Sequence, residues 1–204
     1  MSENIKKIIL KNALKSVVFD GWSDELFETA VEESKVNYLK AKELFPRKSI
    51  DIAMFHHFQD DEKLFEINND ELIDLRTRDK ISKLIFTRIL IANQNKEALR
   101  RSMALFSLPF LLLEGKKMIY NTSDVIWKIV EQEKKSSNKL SKRISLMYLY
   151  STSLLFSIGD ESSDLRETKS FIERSVNNFM KFEKIKKNIS DFSLKSNFSF
   201  LKKI

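Results

Sequence analysis

Gly21, Pro46, Pro109, Gly115 and Gly159 are all the glycine and proline in this chain of 204 residues. A β-rich protein of that length needs many more residues suited to tight turns. Helices joined by short polar connections do not. The scarcity therefore predicts an all-α fold. With 42% apolar side chains the chain can bury one sizeable core. It has no cysteine, which removes disulfides, thiolate catalysis and zinc–thiolate sites and suits a reducing compartment.

Apolar spacing places the helices. Ile5, Ile9, Ala13 and Val17 make one stripe of a first helix that Gly21 ends. Ser23 is the expected N-cap of a second, with Asp24 and Glu25 at the end where the helix dipole favours anions. A short third helix, about 38–45, stops at Pro46, and the three together resemble a helix-turn-helix module. Further helices are expected from Ile50, over about 71–93, over about 96–107 before Pro109, and on to about Glu131. The run 131–139 reads as a loop. A helix over 144–159 follows, uncharged for sixteen residues, which marks a central buried element. Asp164 with Glu167 suggests the cap of a last helix carrying Leu165, Ile172, Val176 and Phe179. A bilayer-spanning helix needs about 20 mostly apolar residues, so a soluble protein is expected. Residues 1–15 lack the uninterrupted apolar stretch of a secretory signal.

Little here points to catalysis. The two histidines, His56 and His57, are adjacent and so diverge by about 100° on a helix. Asp60 and Asp61 lie four residues beyond them, a spacing that could hold a metal weakly, but ordinary polar roles are the stronger reading. No Glu-x-x-His pair, phosphate-binding glycine loop or nucleophile elbow is present. Neither enzymatic activity, a cofactor nor a metal is expected. Arg76, Arg78, Arg100, Arg101, Asp60, Asp61 and Glu62 read as solvated charge.

The net charge of +7 is uneven. From Lys181 onward seven lysines face two acids, which accounts for five of the seven charges. Residues 1–50 hold nine Lys or Arg against eight acids, a balance that gives a DNA-reading module poor support. Their turn Ser34-Lys35-Val36-Asn37 also lacks the glycine often found in such motifs. At the C-terminus Leu194, Phe198 and Leu201 fall on one helical stripe, with Phe200 beside it and Lys202 and Lys203 elsewhere. Such a segment can lie in the interface of an anionic membrane.

Several segments, in order, resemble a known family. They are Gly21-Trp22-Ser23, Leu44-Phe45-Pro46, the run 76–81, the run 100–105, Asp124-Val125-Ile126-Trp127, and Phe171 to Arg174 followed by Met180. Together they are similar to coenzyme Q biosynthesis protein nine, the accessory lipid-binding protein of ubiquinone synthesis, over about residues 4–187. One departure is the stretch 131–143. It keeps Asn138, Lys142 and Arg143 of the family's loop pattern but has Leu140 where a tyrosine is usual.

The resemblance implies a TetR-like bundle of nine to ten helices. A helix-turn-helix-like part (1–48) and a lipid-pocket part (49–187) would form one domain, with 188–204 as the basic amphipathic segment. It implies an isoprenoid quinone precursor or phospholipid as ligand and the di-iron demethoxyubiquinone hydroxylase as partner. A cytoplasmic homodimer, peripherally associated with the inner face of the membrane, is expected, without nucleic acid. Asp124 and Trp127, three apart on one helix face, match the family's partner patch. The residues expected to contribute to the pocket are Leu84, Ile85, Met103, Leu105, Phe106, Met118, Ile119, Met147 and Tyr150. The alternative reading is a TetR-like DNA-binding regulator.

Overall fold

The computed structural model describes residues 2–67, 70–131 and 139–181. The tail residues Leu194, Phe198, Phe200, Leu201, Lys202 and Lys203, and Asn138 of the loop, lie outside the described residues. All regular structure among the described residues is helical. The first four helices are α1 (Ser2–Asp20), α2 (Asp24–Glu33), α3 (Tyr38–Leu44) and α4 (Ser49–Glu62), the last followed by a 3-10 turn at Lys63–Glu66. After these come α5 (Asp70–Ile73), α6 (Thr77–Asn93), α7 (Lys96–Phe106), α8 (Leu112–Val130), α9 (Lys139–Gly159) and α10 (166–181).

The early boundaries follow from local chemistry. Gly21 takes φ of +62°, a conformation open to glycine at no steric cost, and closes α1 with its N–H on the Val17 carbonyl. Ser23 Oγ accepts from the Leu26 N–H at 3.1 Å, the expected N-cap of α2. α2 then ends with Lys35 at φ of +53°, the left-handed position that glycine usually fills.

Two expected elements differ. The helix expected over 71–93 is broken, α5 ending at Ile73 and α6 starting at Thr77 after extended backbone at Arg76. The cap of α10 is not Asp164, which has φ of +54° within a 3-10 turn at Ser163–Leu165. Ser162 Oγ accepts from the Glu167 N–H, and Asp160 Oδ2 accepts from both the N–H and the hydroxyl of Thr168. Burial pushes the Asp160 carboxyl up, but the bonds from Ser162 and Thr168 outweigh it and hold its pKa far below the carboxylate range.

Two apolar clusters fill the molecule. The first joins α1, α2, α3 and the start of α4 to Ala98, Phe106, Leu111 and Met118 from the later helices. Trp22 pins this junction, its indole N–H donating to the Ala98 carbonyl at 3.3 Å. The second lies around α6, which packs against α4, α7, α8 and α9, and includes Leu84, Ile85, Ile126, Tyr150 and Ile172. α9, expected as a central buried helix, is buried on the Leu146, Leu149, Tyr150, Leu154 side only. Ile144, Tyr148 and Leu155 are exposed on it.

Candidate functional site

The nine residues expected to contribute to a pocket fall in both clusters. Leu84, Ile85 and Tyr150 are fully enclosed in the second, with Met103 and Ile119 partly buried against it. Phe106 and Met118 belong to the first, with Leu105 packed on it. Met147 is half-buried on α9. α8 is the element that links the two groups, since Met118 faces one cluster and Ile119 the other.

At the level of Met118 the structure holds a buried polar centre. Asp60 and Asp61, which the sequence places with solvated charges, are each 2% exposed, and the cation that explains them is Arg88 of α6, 1% exposed. Arg88 Nε donates to Asp61 Oδ1 at 2.8 Å, and Nη1 lies 3.6 Å from Asp60 Oδ2. Lys63 Nζ reaches Asp60 Oδ1 at 2.9 Å, so two cations balance two carboxylates. Asn121 and Thr122 of α8 also donate to Asp61, each at 2.8 Å. A buried carboxylate with this many donors is stable as a charge because desolvation is offset by pairing.

His57 completes the centre. Its Nδ1 lies 3.3 Å from Arg88 Nη2, and its Nε2 lies 2.9 Å from Thr122 Oγ1 and 3.3 Å from the Met118 carbonyl. Arginine has only donors, so Nδ1 accepts and the proton sits on Nε2. Burial, then the Arg88 charge, pushes the His57 pKa well below its ordinary value, and the ring is neutral. His56, beside Trp22 with ring centroids 6.4 Å apart, is lowered chiefly by burial as well. Tyr150 stands with its ring 6.0 Å from the Arg88 guanidinium, and burial pushes its phenol up to about 12 against the opposing Arg88 charge. No group of three or more metal-ligating side chains is assembled among the described residues.

Asp124 and Trp127 meet two residues of α9. Arg143 pairs with Asp124, and Lys128 reaches the same carboxylate at 2.9 Å. Burial raises this carboxyl, but the hydrogen bonds from Lys128 and Arg143 outweigh it and lower its pKa. Lys142 Nζ stands 5.0 Å over the Trp127 ring while bonding Glu131 at 2.7 Å. Lys142 and Arg143, the two cations of the 131–143 stretch that match the resemblance, therefore both contact the Asp/Trp pair.

The model of the COQ9 family matches residues 113–183, from α8 to α10, the span that contains this whole arrangement. A curated relative, the probable ubiquinone biosynthesis protein coq9, mitochondrial, of Dictyostelium discoideum, is 25% identical over 202 residues. The match takes in 92% of this chain and 63% of that protein's length. The chain is thus similar to COQ9 proteins, and to the family's model over this span. Among solved structures a TetR transcriptional regulator from Nitrosomonas europaea superposes with a TM-score of 0.70 at 14% identity. It covers 85% of this chain and 97% of the regulator, and shows that the helical bundle has the TetR-like fold.

The regulator-like start of the chain carries mostly paired charge. Lys40 bonds Glu43, Lys48 bonds Asp24 and approaches Glu28, and Arg47 bonds Asp51 and Glu114. Arg100 and Arg101 are exposed, as are Arg76 and Arg78. Each of the α7 pair also donates to a carbonyl of another helix, Arg100 to Ile158 and Arg101 to Val18. An open groove of about 410 Å³ runs along α1 between Lys7, Leu10, Lys11, Leu14, Lys15 and Asn95, none of them a predicted site residue. The Lys/Leu alternation on α1 signals its lining in the sequence; the approach of Asn95 does not.

Proposed function

We propose that this protein is a non-catalytic lipid-binding accessory factor of ubiquinone biosynthesis, which takes up a prenylated quinone precursor and presents it to the demethoxyubiquinone hydroxylase. The observation that carries the reading is the relation to a protein named for ubiquinone biosynthesis across 92% of the chain. The family match over α8 to α10 supports it, because that span holds Met118, Ile119, Met147, Tyr150 and the Asp124/Trp127 face. Residues 49–187 are the proposed lipid-handling part of the domain.

Removing a prenyl chain from water provides the driving force, roughly 25 cal/mol per Å² before ordering costs. Met103, Leu105, Ile119 and Met147 are partly exposed and meet the chain first. Leu84, Ile85 and Tyr150 are fully enclosed, so lipid reaches them only as α6, α8 and α9 part. The face carrying Asp124 and Trp127 is the proposed hydroxylase contact. No helix among the described residues is long and apolar enough to cross a membrane, which favours peripheral association, with the C-terminal segment as the proposed anchor. The exposed stripe Ile144, Tyr148 and Leu155 on α9 is the proposed surface of a homodimer.

Mass spectrometry of lipid extracted from the purified protein tests the reading. A co-purifying isoprenoid or phospholipid is expected. Its absence, with no binding of an added prenyl quinone, overturns the proposal.

A further inference from the structure

From the end of α7 into the first turn of α8 the chain runs Ser107-Leu108-Pro109-Phe110-Leu111-Leu112-Leu113. All but Leu111 are exposed, Phe110 at 73% and Leu113 at 68%. Leu111 turns inward into the first cluster and anchors the segment. Gly115 holds the two helices close, since a Cβ there would stand 3.1 Å from the Phe106 carbonyl oxygen. The apolar residues are thus displayed by a tightly held turn, and contiguous apolar surface on a folded protein marks an interaction site.

Three properties select the occupant. Residues 108–113 include no side chain able to make a hydrogen bond, whereas a specific protein interface carries about one hydrogen bond per 100–200 Å². Four amides at the turn are paired internally: Ser107 N–H with Met103 O, Leu108 with Leu105, Leu111 with Leu108, and Gly115 with Leu111. Entry into hydrocarbon leaves those groups satisfied. Lys116 and Lys117 are both exposed, and Lys117 follows Leu113 by one helical turn, about 6 Å along α8. That is the offset between the acyl boundary and the headgroups, and lysine is depleted in protein interfaces but favoured beside anionic lipid.

We propose that the α7–α8 turn inserts into the acyl–headgroup boundary of an anionic bilayer, with Phe110, Leu112 and Leu113 in the apolar layer and Lys116 and Lys117 at the phosphates. This contact is separate from the C-terminal segment and does not depend on which lipid the protein carries.

The test is flotation of the full-length chain with vesicles of phosphatidylcholine and phosphatidylglycerol. The double variant Phe110→Asp/Leu113→Asp should bind about tenfold more weakly at an unchanged melting temperature. A Phe110→Trp chain should be quenched by brominated acyl chains beyond the level set by Trp22 and Trp127. If the aspartate variant does not fold, the Phe110→Trp quenching decides alone. Unchanged flotation of a folded double variant, or a Phe110→Trp chain that is not quenched, overturns the proposal. So does a change from dimer to monomer in light scattering without quenching, which would make the turn a contact between copies. A variant that floats poorly yet yields the same extracted lipid supports the turn's role and leaves cargo binding intact.

Discussion

Arg88 and Asp61, 27 residues apart in sequence, share a 2.8 Å charge-assisted hydrogen bond in the middle of the helical bundle. Arg88→Ala leaves Asp60 and Asp61 buried with only Lys63 and the neutral donors Asn121 and Thr122. Removing one partner of a buried ion pair costs about 3–5 kcal/mol, and urea unfolding should show a loss of that order. A mutant within 1 kcal/mol of the parent would mean that water reaches the carboxylates.

Stability should fall as the medium is acidified through the ordinary histidine range. The folded-state pKa values of His56 and His57 are lowered, chiefly by burial, so below about pH 6.5 the unfolded chain binds more protons than the folded one. The stabilising contribution is present above the unfolded value and is lost as pH falls toward the folded one. His57→Gln should flatten this slope, read from urea midpoints at pH 8 and pH 5. At the alkaline end Tyr150, raised to about 12, adds stability below about pH 10 that is lost as pH rises through 12.

Trp127→Ala should abolish capture of the hydroxylase in a pull-down while the extracted lipid is retained. Arg143→Ala should weaken the same capture by releasing Asp124, with a smaller effect on stability. Loss of lipid and partner together in either variant would show that carriage and docking are one function of the α8–α9 contact.

Lys35→Gly should stabilise the fold by about 1 kcal/mol, because Lys35 holds φ of +53° at the end of α2 and an L side chain pays for that conformation. The side chain is exposed, so little packing is lost. Thermal melting is the measurement, and an unchanged or lower midpoint would place the strain elsewhere.

Tyr148→Glu/Leu155→Glu should convert a dimer into monomers in light scattering, since both residues lie on the exposed face of α9 seven positions apart. A parent protein that is already monomeric removes the proposed dimer surface.

Helix ends were legible wherever one or two neighbouring residues set them. Gly21, Ser23 and Pro46 act through backbone bonds within a turn of themselves, and local composition is enough to read such effects. Asp164 misled because Asp160 and Ser162, slightly upstream, offered better-placed acceptors. The all-α class followed from the scarcity of glycine and proline for the same local reason. What the linear chain could not reveal was pairing at a distance. Asp60 and Asp61 look like surface charge until α6 brings Arg88 against them, and Leu84 and Met103 look alike until packing encloses one and leaves the other half open. Lys142 and Arg143 gain their meaning only when α9 folds back along α8 onto Trp127 and Asp124. Periodicity reports which side of a helix is apolar, whereas burial of a charge depends on a partner many residues away. That choice was made by the tertiary structure.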